Sequence, residues 1–199
     1  MNYINSNVRT IKYIRMLPYI DSQSKFEIVN GRYRIYPYGD NNNYGIVSSV
    51  KLPRNVWIHY KTYINSGWDT DQVFLITKDK ISSHYVNIGK YGLAIWLGDE
   101  SDSNQHKVSV VYETDGNQYG NCVKCVSGYY LKEYEAQSVD VYFGRTLILY
   151  INNQKVFEID NPAEYESFYF YILMNIGSDT PGYFDVWDVY VELPIRNIV

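Results

Sequence analysis

From residue 25 onward no stretch of this chain holds a 3.6-residue hydrophobic period long enough for a helix, and that absence restricts its fold most. In place of helices come short runs rich in β-branched and aromatic residues: 26–29, 33–36, 46–50, 56–64, 72–78, 91–97, 107–113, 122–126, 138–143, 146–151, 155–159, 167–176 and 183–193. Turn formers separate them, among them Asn30-Gly31, Asn65-Ser66-Gly67, Asp115-Gly116-Asn117, Asn152-Asn153 and Pro181-Gly182. Short strands at this spacing predict an all-β fold, a two-sheet antiparallel β-sandwich or barrel, and not βαβ units. No composition break marks a linker, so 25–199 reads as a single β-sandwich domain preceded by a segment at 1–24.

Two hairpins are written locally. Asn30-Gly31 joins 26–29 to 32–36, and Asn152-Asn153 joins 146–151 to 154–159; both pairs tolerate the positive φ that type I′ turns require. Alternation then divides each strand into two rows. In 168–176 the row Phe168, Phe170, Ile172, Met174, Ile176 reads as core, and Tyr169, Tyr171, Leu173, Asn175 as the outer face. In 56–63 the outer row is Trp57, His59, Lys61 and Tyr63. With Tyr at 23 of 199 residues, rows that are aromatic and polar together fit either half-buried strand residues or a groove for sugar rings, whose flat C–H faces are ringed by hydroxyls.

Charge excludes other classes. With 18 Lys+Arg against 22 Asp+Glu, the chain lacks the basic surface of a general nucleic-acid binder, and no apolar run reaches the length of a membrane span. Residues 1–20 carry Arg9, Lys12 and Arg15 with Ile4, Val8, Ile11, Ile14 and Leu17, which fits a short amphipathic helix, a first strand, a basic arm making contacts between copies, or a terminus packed on the domain. The start has no secretory pattern, so the chain reads as intracellular or already processed, with its localisation open. Cys122 and Cys125 suit a local disulfide or two free thiols better than a metal site, because a second ligand pair is missing.

The strand pattern over about 25–193, with Leu52-Pro53 leading into 56–63, Phe143-Gly144-Arg145 between two strands and Tyr183 to Glu192 closing the chain, resembles the concanavalin A-like lectin and glucanase sandwiches, which implies a jelly roll. Tyr91-Gly92-Leu93-Ala94-Ile95-Trp96-Leu97-Gly98 is similar to the family-12 glycoside hydrolase strand that carries the nucleophile, and Ile176-Gly177-Ser178-Asp179 to the segment that carries its acid/base. The nucleophilic Glu of that family aligns with Gly92, and the acid/base with Asp179. Retaining hydrolysis needs two carboxyl groups, so one of the pair is missing. Asp99, Glu100, Asp102, Glu113 and Asp115 are the nearest acids in sequence, and nothing in their spacing sets one opposite Asp179. The lectin resemblance further implies calcium beside the sugar, for which Glu113-x-Asp115-x-Asn117 is the nearest run; a strand-end turn is its plainer reading, and no metal ligands are assigned.

The expected function is glycan binding without hydrolysis on the concave face. Trp96, Tyr169 and Tyr171 are the expected stacking platforms, Asn175 and Asp179 the hydroxyl partners, and Trp57 or Trp68 the rim. The cluster Trp68-Asp69-x-Asp71 suits such a rim or a solvated loop equally well. Two alternatives stand beside this: a hydrolase of β-glucan using Asp179, and a structural protein of a viral particle or surface assembly. Heavy use of Tyr, Ile and Asn suits an AT-rich genome, such as a viral or archaeal one.

Overall fold

The structure, a computed structural model, describes residues 9–38, 42–65, 70–84, 88–98, 107–114, 122–176 and 182–194. Its strands are β1 Arg9–Tyr13, β2 Met16–Tyr19, β3 Lys25–Val29, β4 Arg32–Tyr36, β5 Asn42–Ser48, β6 Leu52–Pro53, β7 Val56–Asn65, β8 Thr70–Thr77, β9 Leu93–Leu97, β10 Lys107–Tyr112, β11 Lys124–Ser127, β12 Gln137–Phe143, β13 Thr146–Ile151, β14 Gln154–Asp160, β15 Ser167–Ile176 and β16 Tyr183–Pro194. Among the described residues the helical content is a single 3-10 turn, Ile88–Tyr91, just before β9.

The strands form two eight-stranded antiparallel sheets, and together these make an all-β sandwich. The first runs β14-β13-β12-β7-β16-β4-β3, with β1 also on β16; the second runs β11-β10-β9-β8-β15-β5-β2, with β6 on β15. The Asn-Gly and Asn-Asn hairpins form as expected, with φ of 51° at Asn30, 77° at Gly31, 50° at Asn152 and 64° at Asn153. A bulge between Trp187 and Tyr190 lets β16 pass from β4 to β1.

Of the readings open for the N-terminal segment, its described part takes that of a strand. Arg9–Tyr13 and Met16–Tyr19 are strands, one on each sheet, so the sandwich begins before residue 25. Every residue of β1 is exposed, whereas in β2 Met16 is buried in the inter-sheet core and Tyr19 on the outer face of the second sheet.

The inner faces meet as the sequence rows indicate. Val56, Ile58 and Tyr60 of β7 pack with Phe168, Phe170, Ile172 and Met174 of β15, Phe74 of β8 and Phe184 of β16 in one cluster. At its centre lies a polar bridge between the sheets. The Tyr60 hydroxyl donates to Gln72 Oε1 at 3.1 Å, and Gln72 Nε2 donates to Thr62 Oγ1 at 2.7 Å, all three side chains being buried. Burial drives the Tyr60 phenol well above its ordinary pKa, which keeps it a donor.

The two outer faces are unlike. On the first sheet, β7, β12 and β13 alternate buried and half-exposed residues, so one side faces solvent. On the second, residues 43–48 of β5, 71–77 of β8, all of β9 and 170–175 of β15 are buried on both sides. A second cluster accounts for this: Val47, Val73, Leu75, Ala94, Trp96, Tyr171 and Leu173 pack under Ile81 and Ile88. The chain between β8 and β9 covers the outer face of its own sheet.

Removing the Tyr60 hydroxyl leaves Gln72 Oε1 buried without that donor. Tyr60→Phe is therefore expected to lower unfolding free energy by about 1–3 kcal/mol, read from urea denaturation, with the β-rich circular dichroism spectrum unchanged.

Candidate functional site

The outer face of the second sheet carries most of the expected site, and strand register fixes its layout. Asn175 on β15 opposes Asn43 on β5 and Asp71 on β8. In the neighbouring row Leu173 opposes Val73, Val73 opposes Trp96 on β9, and Trp96 opposes Ser109 on β10. Directly opposed residues bring their Cβ atoms to about 5 Å, so Asp71 lies beside Asn175 and Trp96 beside Ser109, two polar pairs in successive rows at one corner of an apolar face.

All five polar side chains are at most 7% exposed. Among the described residues, Trp96 Nε1, Asn175 Nδ2 and Ser109 Oγ have no hydrogen-bond partner. Buried polar groups are nearly always paired, and these three share one face of the sheet, Trp96 and Ser109 on the neighbouring strands β9 and β10 and Asn175 on β15 beyond β8. An indole N–H, an amide N–H and a hydroxyl are groups that hydrogen-bond to hydroxyl-bearing ligands.

The rest of the face is closed. The Ile81 N–H donates to the Tyr171 hydroxyl at 2.9 Å, and the Tyr19 hydroxyl donates to the Ser83 carbonyl. His84 packs against Tyr19 and Tyr44, with ring centroids 4.5 and 4.9 Å away. The Asn43 N–H donates to the His84 carbonyl, and His84 Nδ1 lies 2.9 Å from the Asn43 carbonyl. Burial pushes the Tyr171 phenol up, as it does Tyr19.

The residues expected from the sequence are distributed over both sheets. Tyr171 is fully buried and Trp96 is 3% exposed, so neither presents an open ring for stacking. Tyr169 is half-buried, with the ammonium groups of Lys51 and Lys80 5.5 and 5.1 Å from its ring centroid. Trp57 lies on the outer face of the other sheet, packed on Tyr142 at 5.2 Å and Tyr150 at 5.9 Å, so it rims no groove that contains Trp96 or Asn175. Beside it His59 sits between Asp140, 2.6 Å away, and Glu192, 3.5 Å away, and stacks on Tyr190. These rings pack against one another. Trp68 and Asp179, with Asp99, Glu100, Asp102 and Asp115, lie outside the described residues.

Asn43 and Ser109 were not singled out by sequence reasoning. The available signal is a polar residue in the outward register of a strand whose other outward residues are apolar, as in Ser109 beside Val111.

Gly92 has a structural reason to be glycine. A Cβ there would sit 2.1 Å from the Ile76 carbonyl oxygen, so the position that aligns with a hydrolase nucleophile has no room for a side chain. Cys122 and Cys125 form a disulfide. Of the run suggested for calcium, Glu113 is described, and its carboxylate accepts a hydrogen bond from Tyr165 at 2.9 Å. Among the described residues no three His, Cys, Asp or Glu side chains gather in a way that would hold a metal ion.

Comparison with known proteins supports the fold. No protein-family model matches the chain, and no curated protein matches it. Among solved structures it is similar to the carbohydrate-binding module CBM66 from Bacillus subtilis, at 9% identity and a TM-score of 0.59, over 90% of this chain and 96% of that one. It is similar to the Emp46p carbohydrate recognition domain in its potassium-bound form, at 11% identity and a TM-score of 0.64, over 87% and 88% of the two chains. It is also similar to the VIP36 exoplasmic/lumenal domain in its Ca2+/Man3GlcNAc-bound form, at 11% identity and a TM-score of 0.62, over 94% and 87%. These similarities show the fold, a two-sheet antiparallel β-sandwich shared with lectin and galectin-like domains. These similarities carry neither the local likeness to family-12 hydrolases nor a viral or archaeal source. Among the described residues no helix is long and apolar enough to cross a membrane.

The steric reading of Gly92 is testable. Gly92→Ala is expected to cost about 3 kcal/mol or more in thermal or urea unfolding, because backbone must move to admit the methyl group. A variant as stable as the parent would refute the contact.

Proposed function

We propose that this protein binds glycan at the polar corner of the second sheet and does not hydrolyse it. The observation that carries the reading is the set of buried, unpaired polar atoms on one face of the second sheet, Trp96 Nε1 on β9, Ser109 Oγ on β10 and Asn175 Nδ2 on β15. Sugars offer closely spaced hydroxyls that both donate and accept, and a site built to hydrogen-bond such groups is left with costly unmet partners when the ligand lacks them. Similar sandwiches titled as carbohydrate-binding and carbohydrate-recognition domains favour the same ligand class. Gly92, where a side chain cannot be seated, supports the non-hydrolytic part of this reading.

Asn175→Ala and Asp71→Ala are each expected to reduce binding on an array of plant, microbial and animal glycans by about tenfold or more, the loss of one good hydrogen bond to a tightly held hydroxyl. Circular dichroism and melting temperature check that both variants fold. No binding by the parent protein to any arrayed glycan, or full binding by folded Asn175→Ala, would overturn the proposal; release of reducing sugar from β-glucan would overturn its non-hydrolytic part.

A further inference from the structure

We infer that the outer edge of β1 is a self-association surface, on which β1 of a second copy of this chain pairs antiparallel about a two-fold axis at Ile11 and joins the two first sheets into one. The inference is independent of the glycan-binding reading above.

The main chain of β1 is arranged for a further strand. Thr10 opposes Leu193 and Lys12 opposes Val191 on β16, and Ile14, next in the same register, donates its N–H to the Val189 carbonyl at 3.1 Å. Directly opposed residues of an antiparallel pair alternate between those that exchange hydrogen bonds and those that do not. Thr10 and Lys12 therefore bond to β16 as Ile14 does, and Arg9, Ile11 and Tyr13 turn their N–H and C=O groups outward. On that side of β16 the other strand is β4, which pairs over Phe184–Val186 and stops short of β1. Among the described residues no strand pairs with the outward groups of β1.

Other strand edges of the sandwich are blunted against further pairing. β2 holds Pro18, β3 presents the ion pair Lys25–Glu27, and β14 carries the exposed Lys155 and Glu158 beside a register shift. β1 has neither proline nor bulge, and every residue in it is exposed, with Ile11 at 60% and Tyr13 at 74%. Two large apolar side chains along an unpaired edge favour association.

The sequence of β1 selects its own copy as the occupant. Pairing about Ile11 sets Ile11 against Ile11, Arg9 against Tyr13 and Thr10 against Lys12 of the second copy. The residues with outward main-chain groups then oppose one another, and each such pair can exchange two hydrogen bonds. The side chains also match: apolar meets apolar, a guanidinium meets an aromatic ring, and no like charges are opposed. The chain already uses that cation–ring contact, with the Arg34 guanidinium 3.9 Å from the Tyr183 ring centroid. Centring the pair on Lys12 would oppose two ammonium groups, and centring it on Thr10 would leave Tyr13 without a partner in β1. Such an isologous contact closes as a dimer. A contact between two five-residue strands is small, so the dimer is expected to form reversibly, with a Kd of about 10–100 μM.

Sedimentation velocity of the whole protein, from about 1 μM to about 1 mM, tests this with the parent, Ile11→Pro and Tyr13→Lys. The parent should pass from monomer to dimer across the range. Proline at 11 removes an outward N–H and takes no hydrogen bond from the β16 ladder, so Ile11→Pro should keep the parent's circular dichroism and melting temperature while its Kd rises about a hundredfold or more. Tyr13→Lys sets an ammonium against Arg9 of the second copy and should raise the Kd about tenfold; it decides the matter if Ile11→Pro does not fold. A parent that stays monomeric throughout, or a folded Ile11→Pro or Tyr13→Lys that dimerises as the parent does, would overturn the inference. Oligomers larger than a dimer would overturn its two-fold arrangement.

Discussion

Burial of the second sheet on both faces is the constraint around which this molecule is arranged. A two-sheet sandwich ordinarily buries one face of each sheet, and here the first sheet does so, with half-exposed residues alternating along β7, β12 and β13. The second sheet has a cover of its own, made by the chain between β8 and β9 and fixed by hydrogen bonds to Tyr171, Tyr19 and Asn43. An apolar face sealed in this way is costly to interrupt with polar groups. Trp96, Ser109, Asp71 and Asn175 interrupt it at one corner, and the proposed glycan site rests on that interruption rather than on the aromatic centre.

Much of this fold was legible in the sequence because its signals are local. Asn30-Gly31 and Asn152-Asn153 specify their hairpins through residues that adopt positive φ, and both rows of β7 and of β15 follow from alternation alone. β1 and β2 were less legible, since Ile11, Ile14 and Leu17 suit a helical period as well as a pair of short strands. Sheet pairing with β16 and β5 settles the matter, and no window of sequence contains that information.

The site was legible in part. Alternation assigns Trp57 to an outward row, but it does not say which sheet's outside, and the two outer faces point in opposite directions. Tyr171 and Trp96 lie on the expected face, yet residues 78–84, a mixture of Lys, Ser, Ile and His without a period, give no hint that they fold back over it. Asn175 was found by its strand row. Ser109 escaped because one serine in a valine-rich strand has meaning only after its neighbour across the ladder is known to be Trp96.

Gathering the three inter-sheet passages from β4 to β5, β7 to β8 and β15 to β16 at one end separates the stable part of this molecule from the adaptable part. The sheets are pinned elsewhere, by the Tyr60–Gln72–Thr62 bridge in the core and by hairpin turns whose register does not depend on that end. Insertions or exchanges between Tyr38 and Asn42, or between Asn65 and Thr70, would therefore leave the scaffold's architecture untouched. A protein engineer could use such a chain as a frame on which connecting sequence is varied independently of folding.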